Sequence, residues 1–145
     1  VGLSKKGKKA SKLSVGTSVS KTVSKVKATY KINKLGKNAF KGAKAKKVTL
    51  GKTIKSIPAG AFKNCKKVKK ISVGKNVKTI GKNAFKGCKK LKTITLANKK
   101  VTIKKGAFAG LNTKKITIKA PKMSKKALKK FKKALKKAGF KGKVK

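Results

Sequence analysis

The chain has 145 residues, 37% of them hydrophobic, which suffices for one domain with a modest core. It contains 48 basic residues, all of them lysine, and no Asp, Glu or His, so its formal net charge is +48. This composition excludes carboxylate acid–base catalysis, carboxylate sites for Ca²⁺ or Mg²⁺, and histidine-dependent catalysis. The charge opposes compactness unless anions bind, so it favours a polyanionic partner or a chain made deliberately cationic.

The chain shows no sign of a membrane-spanning segment, because no apolar run reaches the roughly 18 residues that such a helix needs. Membrane insertion is therefore not expected. No signal peptide is recognisable and the chain begins at Val1, so we expect a mature or excised fragment. The two cysteines, Cys65 and Cys88, do not fix a redox compartment.

The N-terminal part of the chain differs in composition from the rest. Residues 1–12 are rich in Lys, Gly and Ser, and we expect a disordered basic tail there. Residues 13–34 contain the segment VGTSVSKTVSKVKATYKI, which is rich in β-forming residues. We predict that these residues form a strand pair, an N-terminal β cap that covers the first turn of the adjoining repeats.

Residues 35–120 repeat a unit of 22 to 23 residues, each containing an Ala-Phe pair. The phenylalanines of these pairs are Phe40, Phe62, Phe85 and Phe108. Each unit continues with a triplet that has a hydroxyl at its centre (VTL, ISV, ITL, ITI), and the first three add a second apolar alternation (IKSI, VKTI, VTI). Stacked units would align Phe on Phe and Ile on Ile, whereas one unit could not bury its own apolar face. We predict an α/β repeat fold, a solenoid of about four turns.

Residues 121–145 are typical of a helical cap. Pro121 ends the last predicted strand, and Ser124 is a candidate N-cap. Gly139 is expected at the C-cap, with Phe140 packing back onto the helix. The apolar residues recur at helical spacing: Leu128, Phe131, Leu135 and Ala138. We favour a cap that covers the last repeat. The alternative is a cationic amphipathic helix that acts on anionic membranes.

The unit IGKNAFKGCKKLKTITL resembles the BspA-like leucine-rich repeat of bacterial surface proteins. The residues that carry the motif N-x-A-F-x-x-C-x-x-L-x-x-I-x-L are Asn83, Ala84, Phe85, Cys88, Leu91, Ile94 and Leu96. The segment APKMSKKALKKFKKALKKAGF resembles the proline-then-helix segment that closes such arrays in Clostridia-like gut bacteria. The outer repeats depart from the motif: Ala43 and Leu111 replace the cysteine, and Gly60 and Gly106 replace the asparagine.

The resemblance implies a leucine-rich-repeat fold, a secreted or cell-surface location, and a role in adhesion and binding without catalysis. It implies no particular ligand, because the binding face varies within the family. We expect no cofactor and make no prediction of the oligomeric state. The absence of Asp and Glu departs from the family, whose members normally carry some. That departure suggests a biased natural tail, a consensus design or a supercharged chain.

Lysines recur at matching positions of successive repeats and would form ladders about 5 Å apart. The candidate polyanion-binding residues are Lys41, Lys63, Lys86, Lys66, Lys89, Lys67, Lys90, Lys69 and Lys92. The partners we expect are teichoic acid, sulfated glycans, an anionic cell surface, or nucleic acid bound through its backbone without sequence preference. The alternative is a lysine-rich exterior that is merely solvated.

Two further sets of side chains recur at matching repeat positions. Cys65 and Cys88 are either two buried thiols, which we favour, or a disulfide, and they are too few to form a metal site. The triplet hydroxyls are expected to align as one row, Thr49, Ser72, Thr95 and Thr117, and a second row contains Ser56, Thr79 and Thr102. We favour ordinary exposed β-branched positions over an ice- or glycan-binding array.

The sequence thus favours a non-enzymatic, extracellular or surface-associated module that binds polyanions electrostatically. Two alternatives stay open. One is a designed or supercharged scaffold without an evolved ligand. The other is a cationic, membrane-active antimicrobial protein that uses its C-terminal helix.

Overall fold

The computed structural model describes the backbone of residues 12–15, 18–23, 26–31 and 35–145, and the side chains of residues 35–145. Its main feature is a six-stranded parallel sheet, which we name the long ladder. In their order across the sheet, its strands are β1 (Lys12–Val15), β4 (Lys47–Leu50), β6 (Lys70–Val73), β8 (Thr93–Leu96), β10 (Thr117–Lys119) and β11 (Lys143–Val144).

The described part of the N-terminal segment contains three strands, two of which pair with each other, while their predicted function as a cap stays a prediction. β2 (Ser18–Val23) and β3 (Val26–Lys31) are antiparallel. β1 instead extends the long ladder, in parallel pairing with β4. β1 begins at Lys12, the final residue of the predicted tail, and residues 1–11 lie outside the described part of the chain. The domain boundaries after residues 12, 34 and 120 stay predictions.

The repeat triplets form the strands of the long ladder because their outer residues share one face. Val48 and Leu50 are buried, whereas Thr49 between them is half-buried on the opposite face. Val48 pairs with Ile71, which pairs in turn with Ile94, so identical repeat positions stack in register. Alternate residues of a strand point to opposite faces, so this register places the apolar residues of β4, β6, β8 and β10 inside.

The second apolar alternation of the repeat forms a shorter parallel sheet. Its strands are β5 (Ser56–Ile57), β7 (Thr79–Ile80) and β9 (Thr102–Ile103), in that order. Ile57 pairs with Ile80, and Ile80 with Ile103, and all three side chains are buried or nearly so. The buried residues of the short sheet and of the long ladder belong to one hydrophobic core.

The expected alignment of Thr117 with Thr95 is wrong. Thr117 pairs with Thr93, and Lys119 is the residue opposite Thr95. A 3₁₀ helix at Thr113–Lys115 lengthens the connection before this strand. The shift amounts to two residues along the strand, and a two-residue shift keeps apolar side chains on the same face. Burial therefore does not distinguish the two registers.

Four phenylalanine rings form a continuous stack through the core. Ring centroids lie 5.1 Å apart for Phe40 and Phe62, 5.9 Å for Phe62 and Phe85, and 5.7 Å for Phe85 and Phe108. The ring planes differ by only 8° to 25°, which is the offset-stacked arrangement that aromatic pairs favour. The predicted Phe-on-Phe contact is therefore present along the repeats.

The Ala-Phe segment turns through two left-handed backbone positions in each repeat. Two residues before each Phe, φ is +58° at Asn38, +65° at Gly60, +55° at Asn83 and +75° at Gly106. Only Gly, and less readily Asn, adopts this conformation at low cost. Gly60 and Gly106, which depart from the asparagine of the motif, therefore satisfy the same backbone requirement.

The C-terminal helix α1 covers Lys125–Lys137. The Ser124 hydroxyl accepts a hydrogen bond from the Ala127 amide at 3.3 Å, so Ser124 is the N-cap, as predicted. The C-cap is Ala138, and Gly139 is the next residue, with φ of +88°. There the amides of Gly139 and Phe140 donate to the carbonyls of Lys136 and Leu135, which is a Schellman motif.

The helix packs its apolar residues toward the end of the repeat stack. Phe131, Leu135 and Ala138 are buried, whereas Leu128 is only half-buried. Phe140 continues the aromatic stack, because its ring centroid lies 5.2 Å from that of Phe108 at a tilt of 52°. Within the described residues, no helix is long and apolar enough to cross a membrane.

Candidate polyanion-binding clefts

A lysine-rich turn precedes each of the strands β4, β6 and β8, and these turns stack on one another along the repeats. The amide of Lys92 donates to the carbonyl of Lys69 at 2.9 Å, and the amide of Lys69 donates to that of Lys46 at 2.8 Å. Leu91 is 3% exposed and holds its turn against the core, while Lys92 beside it is exposed. Backbone pairing and one buried leucine thus fix where the lysines of the turn project.

These turns form a cleft of about 610 Å³, which we name the strand-start cleft. Its lining residues are Lys69, Lys89, Lys90, Leu91, Lys92 and Lys115. Four of these lysines were predicted from the sequence. Lys115 was not, because it belongs to the 3₁₀ helix of the last repeat, where the spacing of the earlier repeats is lost. Five lysines from three successive turns therefore converge on one concave surface.

The other predicted lysines lie outside this cleft. Gly42 donates its amide to the carbonyl of Lys63, and Asn64 donates to that of Lys86, so the Ala-Phe turns also stack in register. Lys41 and Lys86 are exposed and Lys63 is half-buried. Lys66 and Lys67 are exposed too, but they do not line the strand-start cleft. Binding at these five positions stays a prediction.

A second lysine cleft, of about 640 Å³, lies among the turns that come after the long strands. We name it the strand-end cleft, and its lining residues are Lys55, Lys75, Asn76, Lys78, Asn98 and Lys100. The sequence prediction missed these residues. The signal was present in the alternations IKSI and VKTI, whose lysines Lys55 and Lys78 are joined by a backbone hydrogen bond of 2.8 Å.

Two asparagine side chains hold the turns of the strand-end cleft together. The Asn76 amide group donates to the Lys52 carbonyl of the preceding repeat at 2.7 Å. The Asn98 amide group donates to the Val77 carbonyl at 2.9 Å, and its oxygen accepts from the Lys100 amide at 2.8 Å. These bonds fix the backbone from which the lysines of the cleft project.

The hydroxyl rows lie on the outward faces of both sheets. Thr49 pairs with Ser72 and Ser72 with Thr95, and these side chains are half-buried or exposed. Ser56, Thr79 and Thr102 are in register in the short sheet. The first row ends at Lys119 instead of Thr117, so it is shorter than predicted.

The two cysteines are free, buried thiols in the stack, which is the favoured interpretation of the sequence. The Cys65 Sγ donates to the Phe40 carbonyl at 2.9 Å, and the Cys88 Sγ donates to the Phe62 carbonyl at 3.0 Å. Each thiol thus joins its own repeat to the preceding one. Hydrogen bonding to the Cys65 side chain, together with burial, raises the pKa of the Cys88 thiol, so it stays protonated at neutral pH.

Burial should make alkylation of the cysteines depend on unfolding. In 0.15 M NaCl at pH 8, we expect iodoacetamide to modify the folded chain at least about a hundredfold more slowly than the urea-unfolded chain, since the thiolate must first be exposed. Mass spectrometry measures the rate. Cys88→Ala leaves Cys65 as the only thiol, so the two sites can be followed separately. Equal rates for folded and unfolded chains would contradict the buried position.

Stacked phenylalanines, inward apolar strand residues and a short repeated turn between two parallel ladders define a leucine-rich-repeat solenoid. A family model for the BspA-type leucine-rich repeat region matches residues 18–134 in six copies. The chain belongs to this family. The expected number of about four turns stays a prediction.

The chain is also similar in structure to a leucine-rich cell surface protein from Faecalibacterium prausnitzii, known from a crystal structure. The TM-score is 0.50 at 20% sequence identity, and the similarity covers 77% of this chain and 38% of that one. At this identity the similarity concerns the fold alone. Because the similarity covers 38% of that protein, the present chain spans well under half of its length. A search of curated proteins gave no match.

Proposed function

We propose that this chain is a non-catalytic binding module at the bacterial cell surface that holds linear polyanions in its strand-start cleft. The proposed ligand classes are teichoic acid, sulfated glycans, anionic cell surfaces and the nucleic-acid backbone. The observation that carries the proposal is the convergence of five lysines from three turns on one cleft. Family membership and the bacterial surface protein of similar fold are consistent with the proposed location.

The charge of the cleft is not compensated by any acidic side chain. The sequence has no Asp or Glu, so no side-chain carboxylate can pair with Lys69, Lys89 or Lys92. Like charges held about 5 Å apart repel, and salt screens poorly at distances below the Debye length of about 8 Å. A phosphate or sulfate in the cleft relieves this repulsion and releases its own counterions. Binding of a polyanion should therefore also raise the free energy of unfolding of the protein.

Recognition in this cleft depends on charge spacing and not on base identity. The chain has no arginine for bidentate contacts to guanine, and the stacked phenylalanines are buried in the core. Lysine acts on phosphate or sulfate as a point charge. Affinity should therefore fall steeply with salt and vary little with nucleotide sequence.

A membrane-lytic function for α1 is disfavoured by its packing. Phe131 and Leu135 are 7% and 1% exposed, so the apolar face that would enter a lipid interface already belongs to the protein core. Lysis would require the helix to undock and expose Phe140, the last ring of the aromatic stack. We therefore propose that α1 closes the repeat stack.

Removing the cleft lysines should reduce the salt dependence of binding. For Lys69→Gln/Lys89→Gln/Lys90→Gln/Lys92→Gln, we expect the slope of log K against log[NaCl] for duplex DNA to become shallower by about three to four, since each lost phosphate contact contributes about 0.9. Fluorescence anisotropy between 0.1 and 0.4 M NaCl measures the slope (roughly the range in which such contacts dominate). Two duplexes of unrelated sequence should give the same values.

The control must lose the same charge at other positions. Lys37→Gln/Lys104→Gln/Lys119→Gln/Lys122→Gln replaces exposed lysines that line neither cleft. We expect its slope to change by less than about one. Equal changes in the two variants would mean that net charge alone drives binding, as in a supercharged scaffold, and would contradict a specific cleft.

A further inference from the structure

The two lysine clefts lie at opposite ends of the same strands. Lys69 and Lys92, in the strand-start cleft, immediately precede β6 and β8. Lys75 and Asn98, in the strand-end cleft, come two residues after the ends of those strands. In each of these repeats the chain therefore runs from one cleft, through a long strand, to the other. Since the repeats stack in register, both clefts extend along the solenoid axis.

The strand between the clefts sets their separation. Lys92 and Asn98 flank β8 and are six residues apart in the sequence. At about 3.3 Å per residue, the two clefts lie about 15 to 20 Å apart. This exceeds the Debye length of about 8 Å at physiological salt, so an anion bound in one cleft only weakly affects the potential in the other.

The surface between the clefts includes a row of uncharged side chains. Thr49, Ser72 and Thr95 lie in register on the outward face of β4, β6 and β8. These three side chains are half-buried or exposed. They carry uncharged hydroxyl groups, whereas the turns before and after the strands carry lysines. A row of hydroxyls therefore lies between the two basic surfaces. Lys70 shares the outward face of β6 with Ser72, and Lys119 is paired with Thr95 at the end of the row.

From this arrangement we infer that the protein has two independent anion-binding grooves and cross-links two strands of linear polyanion lying parallel to the solenoid axis. The inference rests on the proposed function and extends it from one groove to two. The ligand is a polymer with regularly spaced phosphate or sulfate groups. The protein would hold neighbouring polymer chains together, which a protein with a single groove cannot do.

A sandwich assay on heparin separates binding from cross-linking. Protein captured on immobilised heparin at 0.15 M NaCl is washed and then offered fluorescent heparin in solution. Three variants with equal loss of charge are compared with the unmodified chain. They are the strand-start variant and the control described above, and a strand-end variant, Lys55→Gln/Lys75→Gln/Lys78→Gln/Lys100→Gln.

We expect each cleft variant to stay on the immobilised heparin and to capture at least about fivefold less fluorescent heparin per bound protein, because only one groove is left. The control should capture as much as the unmodified chain. Circular dichroism confirms that the four proteins are folded. For a heparin-derived hexasaccharide, titration calorimetry should give one bound ligand fewer in each cleft variant than in the control.

Failure of this inference can be distinguished from failure of the proposed function. If the strand-end variant captures as much fluorescent heparin as the control while the strand-start variant loses its salt slope, two-groove cross-linking is wrong and the single binding cleft stands. If all three variants lose capture equally, the effect depends on net charge and the inference is overturned. If the strand-start variant keeps its salt slope, the proposed function itself is wrong.

Discussion

Phe85→Ala is expected to lower the free energy of unfolding by about 3 to 5 kcal/mol. Phe85 is fully buried, and its ring lies 5.9 Å from that of Phe62 and 5.7 Å from that of Phe108. The gap cannot close easily, because the amide of Phe85 donates to Ala107 and that of Phe62 to Ala84, which fixes the spacing of the turns. A cavity in the middle of the stack also weakens the contact between its two halves.

Phe140→Ala provides the matched control at the end of the same stack. Phe140 is also buried, but among residues 35–145 its ring contacts one other ring, Phe108, at a tilted angle. We expect its replacement to cost less than that of Phe85, because the helix end can relax around the gap. Urea denaturation followed by circular dichroism at constant 0.15 M NaCl measures both, since guanidinium chloride would itself screen the lysines. Equal losses of unfolding free energy in the two variants would contradict the expectation that a cavity in the middle of the stack is more costly than one at its end.

The sequence was sufficient to predict the period, the inward residues and the aromatic stack. Stacking forces identical positions of successive units into contact, so Phe40, Phe62 and Phe85 had to meet once the repeat was recognised. Ser124 was predictable because an N-cap depends on local chemistry alone. The same stacking rule predicted that lysines at matching repeat positions lie near one another, and these include Lys69, Lys89, Lys90 and Lys92.

What the sequence did not predict depends on geometry outside the repeat rule. Thr117 and Lys119 are two residues apart, and both registers bury isoleucines, so periodicity could not choose between them. Lys115 joins its cleft through a 3₁₀ helix that no other repeat contains within the described residues. In the strand-end cleft, Lys55 and Lys78 share a repeat position, but Asn98 occupies the position that corresponds to Lys75, so the lysines do not form an unbroken row.

The asparagines and glycines of the Ala-Phe turns also pack against one another between repeats. Two residues after each Phe, φ is +74° at Gly42, +60° at Asn64, +77° at Gly87 and +69° at Gly110. A Cβ atom added at Gly87 would overlap Oδ1 of Asn64, whereas one added at Gly110 would meet open space. Asn64 therefore requires a Gly at position 87, whereas a Cβ added at Gly106 would lie 4.0 Å from Oδ1 of Asn83, which is ordinary contact.

Gly87→Ala should consequently destabilise the protein for two separable reasons. The left-handed backbone costs an L-residue about 1 to 2 kcal/mol, and the overlap with Asn64 adds at least about 1 kcal/mol. Gly110→Ala has the first cost without the second, so the difference in urea-derived stability between the two variants measures the packing contribution.

The double variant Asn64→Gly/Gly87→Ala tests the packing between Asn64 and Gly87 directly. Glycine is compatible with φ of +60° at position 64, and removing the asparagine side chain removes the overlap with Oδ1, which leaves Cα of residue 64 at 3.3 Å as the nearest atom. Measured against Asn64→Gly, the alanine at position 87 should cost no more than the alanine at position 110. If its cost is unchanged in that background, strain at residue 87 alone explains the loss. In that case, the choice of Asn or Gly would be set within each turn and not by the neighbouring repeat.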